Sequence, residues 1–179
     1  MPSTPPTDLI AVKYQEAFGA SFRPAFASWL EVNGGAALGY RRASAGALFL
    51  EAYLDQPVEI ALAEVLGRVV ERAAIVEIGN FAAVNALAMI ELWGSAANDL
   101  GAASEIAVAT LTAPLRRMFE RIGLPITAIC PARPERLGGD LAEWGGYYEL
   151  DPVVCMGVIA DGQAAISAFL ARRNHRFAA

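Results

Sequence analysis

Apolar residues recur at helical spacing from Asp8 to Phe18 (DLIAVKYQEAF), and the stretch closes at Gly19, which suits the left-handed end of a helix. Two apolar runs, Ala25 to Val32 and Ala36 to Arg42, flank Asn33-Gly34-Gly35. Asn-Gly supplies the positive φ angles of a tight turn, so this region predicts a β-hairpin. Ala47 to Leu54 and Pro57 to Leu66 read as two short helices or one broken one, with Pro57 in a first turn and Gly67 past the end. Ala73 to Ala83 (AAIVEIGNFAA) is rich in Ile and Val and predicts a buried strand, followed by a helix from Val84 to Leu100 that Gly101 stops. Glu105 to Thr112 predicts the next strand, and Pro114 to Ile122 a helix capped by Thr112 and ended by Gly123. Leu124 to Ile129 and Tyr147 to Ile159 supply further strands, separated by a Pro/Gly-containing loop that holds Arg133, Arg136 and Trp144. Gly162 to Arg173 is a last helix with a basic tail. The expected fold class is α/β, a mixed and mostly antiparallel central sheet with helices on both faces. The strands around Ile75 to Asn80 and Ile106 to Thr112 should be central, because their buried β-branched residues need cover on both sides.

A chain of 179 residues fits one domain, 1–179, whose Pro-rich start at residues 1–7 is expected to fray. The 55% hydrophobic content and mean hydropathy of +0.38 would suit a membrane protein. Yet Glu77, Asn80 and Asn85 interrupt the most apolar stretch, Ile75 to Ile90, and no run reaches the roughly 18–20 residues of a span. The start MPSTPPTDLI has neither a basic nor an apolar signal region, which leads to a cytoplasmic expectation. A net charge of -5 argues against nucleic acid as a partner. The arginine groups 116-117-121, 133-136 and 172-173-176 are either solvated helix faces or an attraction for an anionic ligand or acidic partner. Cys130, Cys155 and the single His175 leave no Cys/His zinc site and no evident nucleophile triad. No GxGxxG or GxxxxGK[ST] loop occurs.

Glu77 carries the sharpest chemical signal. Apolar positions flank it on both sides, and an unpaired carboxylate buried there costs several kcal/mol or stays protonated. It either pairs structurally with an arginine such as Arg72 or accepts a proton from an amine or hydroxyl. Strand alternation places Ile75, Glu77, Gly79 and Phe81 on one face, and Gly79 leaves room for a ligand beside the acid. With Asn80, these residues form one half of the expected substrate site. Thr110 and Thr112 share a face where the next helix opens, a place that attracts phosphate or carboxylate, unless they serve only as strand former and cap. Trp144, Tyr147 and Tyr148 form an aromatic cluster beside Gly145 and Gly146. On a strand only one of the two tyrosines faces a pocket, where a phenol such as Tyr148 could protonate a leaving group; core packing is the alternative.

Phe49 to Glu59 (FLEAYLDQPVE), Ile75 to Ala83 (IVEIGNFAA), Ala109 to Pro125 (ATLTAPLRRMFERIGLP) and ARPERL followed by WGGYYELDPVV resemble, in order and spacing, the thermostable hemolysin family of proteobacteria. That family is similar to the GCN5-related N-acetyltransferase fold, and IVEIGNFAA looks like the strand that carries the catalytic acid of acyl-homoserine lactone synthases. The resemblance implies a transferase of specialised biosynthesis that moves an acyl group from a thioester to a small amine, with Glu77 in the position of the acid. It implies no tightly bound cofactor. The coenzyme A loop R/Q-x-x-G-x-G/A has no counterpart, since the corresponding stretch reads AAVNALAM. The arginine usual just after the acid in the lactone synthases is replaced around Gly79-Asn80. A phosphopantetheine thioester on an acyl or peptidyl carrier protein is therefore at least as good a donor as coenzyme A. The alternatives are a non-catalytic relative that binds a small ligand or a protein, and a lytic protein. No amphipathic lytic helix or pore strand supports the last.

Overall fold

A computed structural model describes residues 6–21, 25–139 and 141–177. Helix α1 (Pro6–Phe18) ends at Gly19 with φ +64°, and most of the Pro-rich start lies outside the described residues. Strands β1 (Ser28–Val32) and β2 (Ala36–Arg42) form the expected hairpin. Asn33 and Gly34 turn it with φ +49° and +66°, and the Gly35 amide donates to the Val32 carbonyl at 2.9 Å. Helix α2 (Val58–Leu66) is preceded by Pro57 and closed by left-handed Gly67. Strand β3 (Ile75–Ala83) leads to α3 (Ala86–Gly101), whose first turn is capped by the Asn85 side chain accepting from the Ala88 amide. Strand β4 (Ile106–Leu111), α4 (Ala113–Ile122), β5 (Thr127–Pro131), β6 (Val153–Val158) and α5 (Ile159–Phe177) complete the chain.

The six strands lie in the order β1-β2-β3-β4-β6-β5. Only β3 and β4 run parallel, so the sheet is mixed and mostly antiparallel, with the two Ile/Val-rich strands at its centre as expected. One face packs on α3, α4 and α5 through Leu38, Val76, Trp93, Phe119 and Ile166. The other is covered by α2 and the segment 43–54 through Leu50, Val58, Leu62 and Val108, and by α1 through Ile10 and Tyr14. Among the described residues no helix is long and apolar enough to cross a membrane.

Three stretches depart from the sequence expectation for local reasons. Ala47 to Leu54 contains a 3-10 turn, Phe49–Tyr53, rather than an α-helix. The Glu51 carboxylate accepts from the Leu48 amide at 2.8 Å and from the Val58 amide at 3.0 Å, which folds the segment back on itself. Tyr147–Leu150 is also a 3-10 turn, since Gly145 at φ +51° and Asp151 at φ +49° break the extended backbone before β6 can begin at Val153. Strand β5 starts later than Leu124, whose amide closes α4 by donating to the Phe119 carbonyl at 2.9 Å.

Candidate functional site

The register of β3 and β4 creates an opening. Their parallel pairing stops at Glu77 opposite Val108, although β3 continues to Ala83 and β4 to Leu111. Beyond that pair β3 follows β2 and β4 follows β6, so the sheet forks at its centre. A cavity of about 570 Å³ fills the mouth of the fork, lined by Glu77, Ile78, Gly79 and Asn80 from β3 and by Thr110 from β4. Trp144 and Tyr147 line it from the segment before β6, and Tyr14 from α1. A second, apolar cavity of about 80 Å³ lies on the opposite face, among Trp93, Ala109, Phe119, Cys155 and Ile166. Ile78 lines both.

Glu77 is only 3% exposed. It is not paired with Arg72, which instead meets Glu51 and Glu59 at 2.7 Å. Its two oxygens accept from the Phe49 amide at 2.8 Å and the Leu50 amide at 3.0 Å. These are the first amides of the 3-10 turn, which have no partner within it, so the carboxylate and the turn satisfy each other. Each Glu77 oxygen keeps a further lone pair for the cavity. Burial pushes its pKa up to about 7, outweighing the two amide bonds and the Arg41 charge that pull it down. A carboxyl poised there exchanges protons near neutrality.

Phe81 does not share this face. Two residues of β3, Asn80 and Phe81, stand where Leu38 stands on β2, and Asn80 takes φ +50°, so the alternation slips by one. Phe81 therefore packs on Trp93 across the sheet, while Asn80, 8% exposed, lines the cavity. Nor is the space beside Gly79 open. Gly79 lies directly opposite Gly39, and the Phe26 ring lies over both: an added Cβ would come within 3.0 Å of that ring at Gly79 and within 2.6 Å of Phe26 at Gly39. The glycines thus admit a ring of the protein itself, which forms a wall of the cavity.

Of the threonines, Thr110 reaches the cavity and its buried Oγ1 has no hydrogen-bond partner. Thr112 is buried at the start of α4, makes no side-chain cap bond and stands outside the lining. The tyrosines do not alternate on a strand. Tyr147 is buried against Tyr14 and Phe18 and lines the cavity. Tyr148 lies behind it, with its hydroxyl 2.6 Å from that of Tyr53, and Tyr53 is the member of the pair that reaches the cavity. Burial and the bond to Tyr148 raise the Tyr53 pKa far above that of an ordinary phenol, so this hydroxyl stays protonated. The sequence reading missed Tyr14, Phe26, Phe49 and Tyr53; the i, i+4 spacing of Phe49 and Tyr53 was the available signal. Arg116 is held by the Leu111 and Asp151 carbonyls and the Asp151 carboxylate, so it is not free to attract phosphate. Among the described residues no group of three or more His, Cys, Asp or Glu could hold a metal ion.

The rim closes by backbone contact. The Gly146 amide donates to the Phe18 carbonyl at 2.8 Å, and a Cβ at Gly145 would fall 2.0 Å from that same oxygen. Gly145→Ala is expected to unseat residues 141–148 from α1, at a cost of about 1–3 kcal/mol. Faster hydrogen exchange at Gly146, with the sheet amides unchanged, checks this.

The fold is similar to that of several solved structures, an AHL synthase and an N-acyl amino acid synthase among them. TofI, solved in a ternary complex with an inhibitor and MTA, shares it with a TM-score of 0.61 at 16% identity, covering 93% of this chain and 91% of its own. The AHL synthase LasI follows at TM-score 0.55 and 12% identity, with 89% and 84% covered. FeeM, an N-acyl amino acid synthase from uncultured soil microbes, gives 0.53 at 14% identity, with 88% and 91% covered. The model of the thermostable hemolysin family matches residues 5–163, and the chain belongs to that family. No curated protein matches it.

Proposed function

We propose that the protein is an acyltransferase that moves an acyl group from a thioester to a small amine, with Glu77 as the general base. The observation that carries this reading is a buried carboxyl, poised near neutrality and held by two backbone amides, at the split between two parallel strands. The likeness in fold to an AHL synthase and an N-acyl amino acid synthase supports it.

In this mechanism Glu77 takes a proton from the amine, whose nitrogen attacks the thioester carbonyl carbon. The carbonyl π electrons move onto oxygen, and backbone amides at the fork hold the oxyanion. When the intermediate collapses the C–S bond breaks, and the sulfur leaves as a thiolate that takes up the proton Glu77 had accepted, while the Tyr53 hydroxyl stays protonated and donates a hydrogen bond to it. Tyr148 then acts through Tyr53, as the partner of its hydrogen bond. The acyl tail extends past Ile78 into the apolar cavity on the opposite face, which Trp93, Phe119 and Ile166 keep free of charge. The donor is a phosphopantetheine thioester on a carrier protein or coenzyme A, in cytoplasmic biosynthesis.

Thiol release from acylated carrier protein and from acyl-coenzyme A, each mixed with a panel of amines, tests the reading. Amine-dependent release from at least one donor is expected. Its absence from both, with folded protein, overturns the proposal in favour of a non-catalytic ligand-binding relative.

A further inference from the structure

The cavity at the fork has an uneven polar inventory. Asn80 is fixed in the β2–β3 bulge with left-handed backbone, and its carboxamide hydrogen-bonds the Tyr14 hydroxyl. Its Oδ1 has no partner, although the residue is more than nine-tenths buried. A buried acceptor left alone costs about 1–3 kcal/mol, so an orphan on a residue that lines a cavity points to a ligand donor. Thr110 presents a second buried oxygen without a partner from the other arm of the fork. Glu77, whose oxygens each accept one backbone amide, lines the same cavity with lone pairs to spare. Two orphaned acceptors and a carboxylate thus belong to residues that line one cavity.

The remaining wall has the same preference. Phe26, Phe49, Trp144 and Tyr147 line the space with aromatic rings, whose faces attract a cation, and Glu143 adds a second carboxylate. Among the described residues no Lys or Arg lines the cavity. Arg41, the neighbour of Glu77 across β2, directs its guanidinium to the Ala47 and Ala25 carbonyls. A carboxylate entering this space meets two negative side chains and, among the described residues, no Lys or Arg in the lining, whereas an ammonium meets carboxylates and amide and hydroxyl oxygens.

We propose that the acyl acceptor is a primary amine that carries no carboxylate, its ammonium N–H groups received by Glu77 and by Asn80 Oδ1 within an aromatic enclosure. This deepens the acyltransferase reading and rests on it for the word acceptor, but the binding preference stands on the cavity alone.

The experiment is therefore done without any thioester. Isothermal titration calorimetry at pH 8 compares phenethylamine with phenylalanine and 1,4-diaminobutane with ornithine, each pair differing by a carboxylate. At least one amine is expected to bind, 10-fold or more tighter than its amino acid. Asn80→Ala should weaken that amine by at least 10-fold, while Asn80→Asp, which keeps the shape and only accepts, should hold or improve affinity. Thermal melts confirm that both variants fold, and the aspartate variant remains informative if the alanine variant does not. Equal or tighter binding of the amino acids, no binding of either amine, or loss of amine affinity in Asn80→Asp overturns the proposal. Amine binding without thiol release in the transfer assay would sink the acyltransferase reading alone.

Discussion

Glu77→Gln is expected to lower kcat for acyl transfer by about 10²–10⁴-fold while changing acceptor KM far less, because the amide cannot take the proton. The wild-type rate should rise with pH through about 7, where the carboxyl ionises, and the residual rate of the variant should lose that limb. Stability follows a separate course. The folded pKa lies above the ordinary 4.5, so the folded protein holds the proton more tightly than the unfolded chain. Stability from this group is therefore greatest below pH 4.5 and falls as pH rises through about 7, by about 3 kcal/mol at most. Gln has no such titration, but its NH2 group faces a backbone amide that the second carboxylate oxygen had satisfied, which costs about 1–3 kcal/mol. The variant should therefore be less stable than wild type at pH 5 and approach or pass it at pH 8. Melts at the two pH values beside a single-turnover assay check both. A variant of unchanged activity per folded molecule removes Glu77 from the chemistry.

What was legible in the sequence was whatever has a local cause. Asn33-Gly34 dictates its turn, Gly19, Gly67 and Gly123 end their helices, and the Ile/Val-rich strands declare that both their faces are covered. Glu77 stood out because a carboxylate in an apolar strand requires an explanation wherever the strand lies. The partners that explain it were not legible, since amides carry no sequence signature and those of Phe49 and Leu50 come from a turn 28 and 27 residues earlier. Phe81 was assigned to the wrong face because a bulge depends on the partner strand, and one extra residue reverses everything after it. The clearance beside Gly79 is taken not by a ligand but by Phe26, which reaches it from before β1. Tyr53 and Tyr148, 95 residues apart, meet only through the packing of two 3-10 turns that periodicity had read as a helix and a strand.

The turn that holds Glu77 is itself held by charge. Arg72 donates to the Ala43 carbonyl at 2.9 Å and the Gly46 carbonyl at 2.8 Å, and it binds both Glu51 oxygens and one oxygen of Glu59. The guanidinium keeps the Glu51 carboxyl down at about 2, and Glu51 in turn fixes the Leu48 and Val58 amides that bracket the turn. Arg72→Met removes the common partner of two half-buried carboxylates and should cost about 2–4 kcal/mol, below the roughly 3–5 kcal/mol of a fully buried pair because Arg72 is partly exposed. The folded pKa of Glu51 is depressed, so its stabilisation is present above the ordinary 4.5 and lost as pH falls towards about 2. The deficit of the variant should accordingly be largest at neutral pH and narrow in acid. A purely structural role would end there, with activity per folded molecule intact. If the Arg72–Glu51 pair instead aims the Phe49 and Leu50 amides at Glu77, loosening the turn weakens the bonds that lower the Glu77 pKa, and the rising limb of the pH–rate profile should move above 7. A destabilised variant whose limb stays at 7 would leave Arg72 as a clasp for the fold and nothing more.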